Sequence, residues 1–459
     1  MKKTVVKFGG SVLRSVEDIE RVGLIIQAYD RPVIAVVSAF YGITDLLSDS
    51  LKIKKISTDS IEDLTEEIRT IHYRYLNESV HDPLAVNSIG ENIDILLKEL
   101  HDHLTGTMLI RNIPDQSKAF ILSFGERLSS VLISDILRFK GLDVISTSPE
   151  SAEIYSSGPI LNATIDLKRS APGMIRAFSG ERSYIVPGFY GIPDMERISL
   201  FGRGGSDYSA AGIAAGIGAA SCDLWKDVNG FMTADPSVEA LAKNVPALSY
   251  GEAAELSYFG AAITHPETYT PLEQKSIPLN IYDIRQFKNE KRLPLPSTVI
   301  GSRTGRTGEV IKSITGSVDF SILRIKGSGV GIHPGIISDI SNRFSEEDIN
   351  IRSIITSQTT INFLLSAYDI RKAFSIIERL KLPEAEVITT ETDIALIAAV
   401  GYGFRETYGV AANILTVLSE KKINVTLMTA GASDSAIYLT IRKNECEKAI
   451  KSLHKEFFQ

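Results

Sequence analysis

Short apolar runs alternate with segments of helical spacing through the first half of the chain. Residues 4–7 and 33–37 are rich in β-branched side chains and end at glycine or serine, which is typical of strands buried on both faces. Between them, residues 16–28 place apolar side chains on one helical face. This alternation predicts an α/β fold in which helices cover a mainly parallel sheet.

The alternation continues to about residue 282 with one helical excursion. Residues 45–115 mix charged side chains with helical periodicity, which predicts helices outside the sheet. Further strands are predicted at residues 119–122, 144–145, 184–186, 198–200 and 279–282, and further helices at residues 127–139 and from Ser206. Residues 289–308 are rich in Lys, Arg, Pro and Gly without periodicity, so we expect the main domain boundary there.

An internal repeat follows this boundary. The glycine that opens a helix at Gly335 recurs 74 residues later as Gly409, and Asn350 recurs as Asn424. Each copy predicts strand, helix, strand, strand and helix. The predicted elements are residues 322–325, 335–345, 350–354, 360–366 and 371–380 in the first copy, and 394–400, 409–418, 424–428, 436–441 and 444–455 in the second.

A βαββαβ unit needs a fourth strand. Residues 386–390 can provide it in the first copy, whereas no candidate follows the last helix of the second. We therefore expect residues 309–314 to complete the second unit, which makes the first unit an insertion. The predicted domains are residues 1–300, residues 316–390, and residues 309–315 together with 391–459.

Composition and charge narrow the class of protein. The 459 residues are 44% apolar with a formal net charge of −7, which excludes wholesale disorder and gives no basic surface for nucleic acid or a membrane. Anionic ligands must then be bound locally. Cys222 and Cys446 cannot form a disulfide framework, which favours a reducing cytoplasm. Residues 210–220 are the longest apolar run and fall short of the roughly 20 that cross a bilayer, and no signal peptide is expected.

Two glycine-rich segments are candidates for anion binding. Residues 7–11 (KFGGS) close a strand and open a helix, where backbone N–H groups and Lys7 can meet a phosphate; an ordinary turn is the alternative. Residues 201–209 (FGRGGSDYS) are more specific, because Arg203 and Asp207 suit the carboxylate and ammonium of a zwitterion. The alternative is that Ser206 or Asp207 caps the helix and Arg203 is its surface partner.

Other polar segments carry weaker signals. Residues 123–129 (SFGERLS) place Glu126 at a predicted helix start, which is favourable without any function. Residues 224–236 hold Lys226 and Asp227 in a turn-rich stretch that either contacts a nucleotide or is only a loop. His101 and His103 are expected on a solvated helix face, and His265 is expected to be structural.

Taken in order, these segments resemble the aspartate kinases of the amino-acid-kinase superfamily, and the resemblance covers nearly the whole chain. The motifs that carry it are residues 7–11, 123–129 and 201–209, together with residues 258–260 and 265–266. The tandem βαββαβ units resemble paired ACT domains that sense amino acids. The resemblance implies an amino-acid-kinase fold, transfer of the ATP γ-phosphate to the β-carboxylate of L-aspartate with Mg²⁺, and a homodimer regulated by feedback in lysine, threonine and methionine biosynthesis.

The resemblance also implies roles for individual residues. Lys7 and Asp207 would be catalytic, Asp207 by taking the substrate ammonium group, and Arg203 would take its α-carboxylate. The other implied contacts to aspartate are Ser38, Thr44, Glu126, Gly204, Gly205 and Ser206. The implied nucleotide contacts are Lys7, Phe8, Gly9, Gly10, Lys226, Asp227, Met232 and Asp235. No residue is expected to bind a metal directly.

The chain departs from the family pattern mainly on the nucleotide side. Ser11 follows Gly10 directly, where the family has a threonine between them, and Ala262, Met232 and Ser237 replace an expected lysine, tyrosine and arginine. Two alternatives follow: a catalytically weakened amino-acid sensor, or a kinase for another carboxylate such as that of glutamate. Arg352 lies where lysine-sensing members carry an acidic residue, so the effector is left open between lysine, threonine and none.

Overall fold

A computed structural model of the chain describes residues 2–52, 57–110, 112–194, 197–260, 263–288, 292–302, 310–404 and 406–459. The chain forms two compact units. The first comprises Met1–Phe231, Asn244–Ser257 and Ala262–Gly305, and the second comprises Met232–Lys243, Tyr258–Ala261 and Arg306–Gln459. Each unit has hydrophobic core residues of its own.

The first unit is built from short strands and longer helices. Its strands are β1 (Thr4–Phe8), β2 (Val33–Val37), β3 (Val144–Ser146), β4 (Ser156–Ser157), β5 (Thr164–Ile165), β6 (Ser183–Pro187), β7 (Tyr190–Gly191), β8 (Ser199–Leu200), β9 (Cys222–Lys226), β10 (Ala247–Leu248), β11 (Leu279–Asp283) and β12 (Thr298–Ile300). Its helices are α1 (Val16–Ala28), α2 (Ile43–Ser50), α3 (Thr58–Ser79), α4 (Pro83–Ile110), α5 (Asp115–Phe139), α6 (Leu167–Ala177), α7 (Gly205–Ile217), α8 (Tyr250–Phe259) and α9 (Tyr269–Lys275).

The main sheet has the order β10-β12-β11-β9-β1-β2-β6-β3 among the described residues. All its neighbouring strands are parallel except β11 and β12. The side chains of β1 and β2 are buried throughout, as their continuous β-branched runs predict. The α/β class and the mainly parallel sheet are confirmed, and so is the helical excursion, which forms α3 and α4.

One strand prediction in the first unit was wrong. Residues 119–122 are not a strand but part of α5, because a short apolar run fits a buried helix as well as a buried strand. Glu126 therefore lies inside a helix and not at its start. Residues 289–308, where the main domain boundary is predicted, also include a strand, β12, which pairs with β11; its three residues are too few to show periodicity.

The second unit holds two sheets of four strands each among its described residues. Its strands are β13 (Ser313–Ser317), β14 (Phe320–Lys326), β15 (Ile351–Ser357), β16 (Thr360–Ser366), β17 (Val387–Glu391), β18 (Ile394–Val400), β19 (Leu427–Ala430) and β20 (Ala436–Arg442). Its helices are α10 (Ile336–Glu346), α11 (Ile370–Leu380), α12 (Val410–Glu420) and α13 (Cys446–Phe458).

The two sheets have the same topology. Read in corresponding directions, their strand orders are β15-β16-β14-β17 and β19-β20-β18-β13. The strand expected at residues 309–314 is β13, which lies later than predicted, at Ser313–Ser317, and pairs antiparallel with β18 of the second repeat. Gly335 and Gly409 cap α10 and α12 with φ angles of 102° and 84°, a left-handed conformation that explains the repeated glycine. β19 begins three residues later than predicted. The limits of the three domains stay a prediction.

Candidate active site

Two lysines and one aspartate meet at the carboxyl edge of the main sheet. Lys7 lies near the end of β1, Lys226 ends β9, and Asp207 lies in the first turn of α7. Because β1 and β9 are parallel neighbours, both lysines emerge at the same edge. Nζ of Lys7 lies 2.6 Å from Oδ1 of Asp207, and Nζ of Lys226 lies 2.7 Å from Oδ2. One carboxylate thus holds two ammonium groups.

Burial and mutual attraction shape the charges of this triad. Burial would raise the pKa of Asp207, but the ammonium groups of Lys226 and Lys7 lower it to about 2. Burial lowers the pKa of Lys7, and the like charge of Lys226 adds to this effect, while Asp207 opposes it. The site therefore holds a buried lysine and a partly buried lysine around an ionised carboxylate, which suits a ligand that carries several negative charges.

The triad opens into a cavity of about 850 Å³. Most of the residues that the sequence assigned to the site line this cavity. They are Lys7, Gly9, Gly10, Ser38, Thr44, Arg203, Gly204, Gly205, Ser206, Asp207 and Lys226. A space of this size accommodates a small metabolite together with part of a nucleotide.

The loop before α7 can be built only with glycine at two positions. Gly202 and Gly204 have φ angles of 69° and 70°. A Cβ atom at Gly202 would lie 2.4 Å from Oδ1 of Asn162, and one at Gly204 would lie 2.6 Å from Cβ of His265. Gly204 itself is the N-cap of α7, so the alternative in which a polar side chain caps this helix was wrong. Arg203 is exposed and lines the cavity.

Glu126 is a buried carboxyl group beside this loop. It lies inside α5 with 4% exposure, and Oε1 accepts a hydrogen bond from Oγ of Ser206 at 3.4 Å. Oε2 has no partner that meets hydrogen-bond geometry among the described residues, although the backbone of Ala39 interacts with the carboxyl group. Burial raises the pKa of Glu126 to about 7. A buried carboxyl oxygen that lacks a partner is well suited to a cationic ligand.

Phe8 and Asp227, which the sequence assigned to the nucleotide, are not among the residues that line the cavity. Phe8 is fully buried in the core of the first unit. Asp227 is 44% exposed at its side chain and accepts a hydrogen bond from Oγ of Ser11 at 2.8 Å. Met232 and Asp235 belong to the second unit, and Ala262 lies outside the described residues. The nucleotide roles of these residues stay predictions.

The sequence did not predict one of the groups that hold Lys226. Nζ of Lys226 also donates a hydrogen bond to the carbonyl oxygen of Ile263 at 2.5 Å. Ser257 and Thr264 line the cavity next to it. A backbone acceptor leaves no signal in side-chain chemistry, so the motif residues on either side, 258–260 and 265–266, did not predict this contact.

Comparison with known proteins identifies the family. The profile of the amino acid kinase family matches residues 2–283. The chain belongs to the amino acid kinase family. A profile of the ACT domain matches residues 397–457, so this amino acid kinase carries at least one ACT domain at its C-terminal end.

Its relatives by sequence are aspartokinases. The kinase is 28% identical over 99% of its length to the bifunctional aspartokinase/homoserine dehydrogenase of Buchnera aphidicola, of which it covers 56%. It therefore spans a little over half the length of that relative. It is also 26% identical to the chloroplastic aspartokinase 1 of Arabidopsis thaliana, over 99% of its own length and 80% of that protein. With aspartokinase 2 of Bacillus subtilis it shares 27% identity over 82% of its length and 89% of the relative's.

Solved structures show the same fold. The structure of E. coli aspartokinase III in complex with aspartate and ADP has a TM-score of 0.83 at 24% identity and full coverage of both chains. The lysine and aspartate complex of that protein, described as its T-state, has a TM-score of 0.80. The fold assigned from sequence is confirmed. Within the described residues, no helix has the length and apolar character needed to span a membrane.

Proposed function

We propose that this amino acid kinase transfers the γ-phosphate of ATP to the β-carboxylate of L-aspartate and forms 4-phospho-L-aspartate. The observation that carries the proposal is the pair of ammonium groups held by Asp207 in a cavity that Arg203 also lines. Phosphoryl transfer depends on positioning and on stabilising negative charge more than on covalent chemistry. Two fixed cations beside an anion-binding helix start supply that stabilisation.

Glu126 is the group that we propose for the ammonium of aspartate. The sequence assigned this role to Asp207, but both oxygens of Asp207 are engaged by lysines. The free oxygen of Glu126 needs a donor, and an ammonium group beside it would return its carboxyl group to the ionised form. Asp207 then acts by orienting Lys7 and Lys226.

Arg203 and Ser206 complete the proposed contacts to the amino acid. The guanidinium group of Arg203 matches a carboxylate in geometry and charge, and we assign it the α-carboxylate. Ser206 lies at the start of α7, where the positive end of the helix dipole favours an anion, and we assign it the reacting end. The substrate β-carboxylate is already ionised at neutral pH, so no general base is needed.

Mg²⁺ is proposed as the companion of ATP. Mg²⁺ usually keeps several water ligands and binds through nucleotide phosphates more than through a protein cage. Among the described residues, no group of three or more His, Cys, Asp or Glu side chains lies where it could hold a metal ion. When bound, the ion would neutralise charge on the phosphates.

Regulation, assembly and location are also proposals. An amino acid would bind the ACT units and control turnover, since related proteins of this fold include a lysine complex. The guanidinium carbon of Arg352 lies 4.6 Å from the ring centroid of Tyr258, and the sequence resemblance aligns Arg352 with an acidic residue of lysine-sensing members. We therefore expect threonine to be a stronger effector than lysine. We also propose a homodimer in the cytoplasm.

The function is tested by ADP release with Mg·ATP and aspartate, glutamate or N-acetylglutamate in parallel. We expect turnover with aspartate only. Turnover with glutamate alone would favour a kinase for that amino acid, and binding without turnover would favour a sensor. Adding lysine or threonine to the active enzyme tests the effector.

A further inference from the structure

Three hydroxyl groups form a small cluster next to Ile263, whose carbonyl oxygen accepts a hydrogen bond from Lys226. Tyr269, the first residue of α9, shares a hydrogen bond of 2.9 Å with Oγ of Ser257 and another with Oγ1 of Thr264. The oxygens of Ser257 and Thr264 lie 3.4 Å apart. Tyr269 is 2% exposed and Thr264 is 7% exposed. The function proposed above assigns no role to these side chains.

The cluster adjoins the carbonyl group that holds Lys226. The carbonyl of Ile263 and the nitrogen of Thr264 belong to one planar peptide unit. Anchoring the side chain of Thr264 restricts rotation of that plane, and this fixes the direction of the carbonyl oxygen that accepts from Lys226. Asp207 and Ile263 then take two of the three N–H groups of Lys226. The third is left for a ligand in the cavity that Lys226 lines.

We infer that Tyr269 is a positioning residue for phosphoryl transfer. Through Thr264 and the Ile263 carbonyl, its hydroxyl group sets the direction in which Lys226 presents its ammonium group. The inference rests on the proposed function for the identity of the phosphate, which is the transferring group of ATP. Preorganised donors stabilise developing charge best when they need not move during the reaction. Arg203 and Glu126 lie outside this hydrogen-bond chain, so aspartate binding should not depend on it.

Removing the hydroxyl oxygen of Tyr269 distinguishes a positioning role from a contribution to the stability of the protein. Tyr269→Phe removes only the hydroxyl group, and we expect a roughly tenfold lower kcat with an unchanged KM for aspartate. Tyr250→Phe is the matched control, because Tyr250 is also buried and its hydroxyl donates to the carbonyl of Ile277 at 2.6 Å. We expect its kcat to equal that of the wild type. Equal losses in the two variants, or a raised KM for aspartate in Tyr269→Phe alone, would overturn the inference.

Thr264 provides a second test that does not depend on the folding of the Tyr269 variant. Thr264→Ser keeps the hydroxyl group and should keep at least half of the wild-type kcat. Thr264→Val keeps the shape but loses the hydroxyl, and its kcat should fall as in Tyr269→Phe. Equal turnover by the serine and valine variants would contradict a positioning role.

A double-mutant cycle tests whether the effect passes through Lys226. We expect Tyr269→Phe to weaken ATP binding severalfold in the wild type, measured by calorimetry, and to change nothing further in a Lys226→Met background. Additive losses would overturn the inference. ATP binding does not require turnover, so a wild type that binds ATP but phosphorylates no amino acid would refute only the proposed function. A wild type that does not bind ATP would refute both.

Discussion

The amino-acid end and the nucleotide end of the proposed site differ in how they are built. At the amino-acid end, Glu126 and Ser206 are buried on α5 and α7 and contact each other. At the nucleotide end, Asp227 is partly exposed in a loop. Helices packed in one core hold side chains more precisely than loops do. Substitutions should therefore cost most at the lysine triad, less at the amino-acid end and least at the nucleotide end.

The largest effect is expected for Lys7. Lys7→Met removes one of the two cations held by Asp207, and kcat at saturating substrates should fall about a thousandfold, as when a transition-state donor is lost. Steady-state ADP release measures this. Lys3→Met is the control, because the ammonium of Lys3 binds the carbonyls of Gly180 and Arg182. A decrease in kcat of less than tenfold in Lys7→Met would contradict a role for the triad in the reaction.

Arg203 should matter for the amino acid alone. Arg203→Ala loses a charged contact worth about 1.5 to 3 kcal/mol, so the KM for aspartate should rise roughly 10- to 100-fold. The KM for ATP should stay constant. Arg138→Ala, which breaks an ion pair with Asp135 away from the cavity lining, should change neither. If the KM values for aspartate and for ATP both rise in Arg203→Ala, Arg203 does not act on amino-acid binding alone.

The pH dependence should also report the amino-acid end. The raised pKa of Glu126, about 7, means that the carboxyl group is mostly protonated at pH 6 and mostly ionised at pH 8. Only the ionised form attracts an ammonium group, so the KM for aspartate should fall roughly tenfold from pH 6 to pH 8. Glu126→Gln should raise KM and flatten this profile. A wild-type KM that is constant over this range would contradict the assignment.

The same carboxyl group links pH to folding. Its pKa in the folded protein lies above the ordinary glutamate value of 4.5, so the folded state binds the extra proton. Its contribution to stability is fully present below pH 4.5 and is lost as the pH rises to about 7. Glu126→Gln, which stays neutral, should therefore lose less stability than the wild type across this interval in urea unfolding. If the free energy of unfolding changes with pH in the same way in both proteins, the raised pKa of the buried carboxyl group is contradicted.

The smallest effect is expected at Ser11. Ser11→Ala removes the hydrogen bond to the partly exposed Asp227, and one such bond contributes about 1 kcal/mol. The KM for ATP should rise no more than about fivefold, with kcat and the KM for aspartate unchanged. A larger loss would show that the nucleotide end is as tightly organised as the amino-acid end.

The sequence predicted some features better than others, for physical reasons. The ACT repeat was predicted in detail because two copies carried the same glycine and the same strand pattern, at Gly335 and Gly409. The glycine loop at residues 202–205 was identified because its turn requires φ angles that other residues avoid. Glu126 was identified as a site residue but placed at a helix start, since the apolar run before it fitted a strand.

The pairing of Asp207 with both lysines could not be predicted from the chain alone. It depends on β1 lying next to β9, more than two hundred residues later, and strand order is a property of the folded sheet. The same holds for the Ile263 carbonyl, whose chemistry is shared by every residue. Local patterns thus identified the charged groups, while the topology decided which of them meet.

The most direct test of the central claim is the chemical identity of the product. The enzyme is incubated with Mg·ATP, L-aspartate and hydroxylamine, and the trapped product is identified by mass spectrometry and quantified against ADP. We predict the β-hydroxamate of aspartate in a one-to-one ratio with ADP, lost in Lys7→Met and retained in Lys3→Met. The absence of aspartyl hydroxamate from the wild type at millimolar aspartate would contradict the proposed reaction.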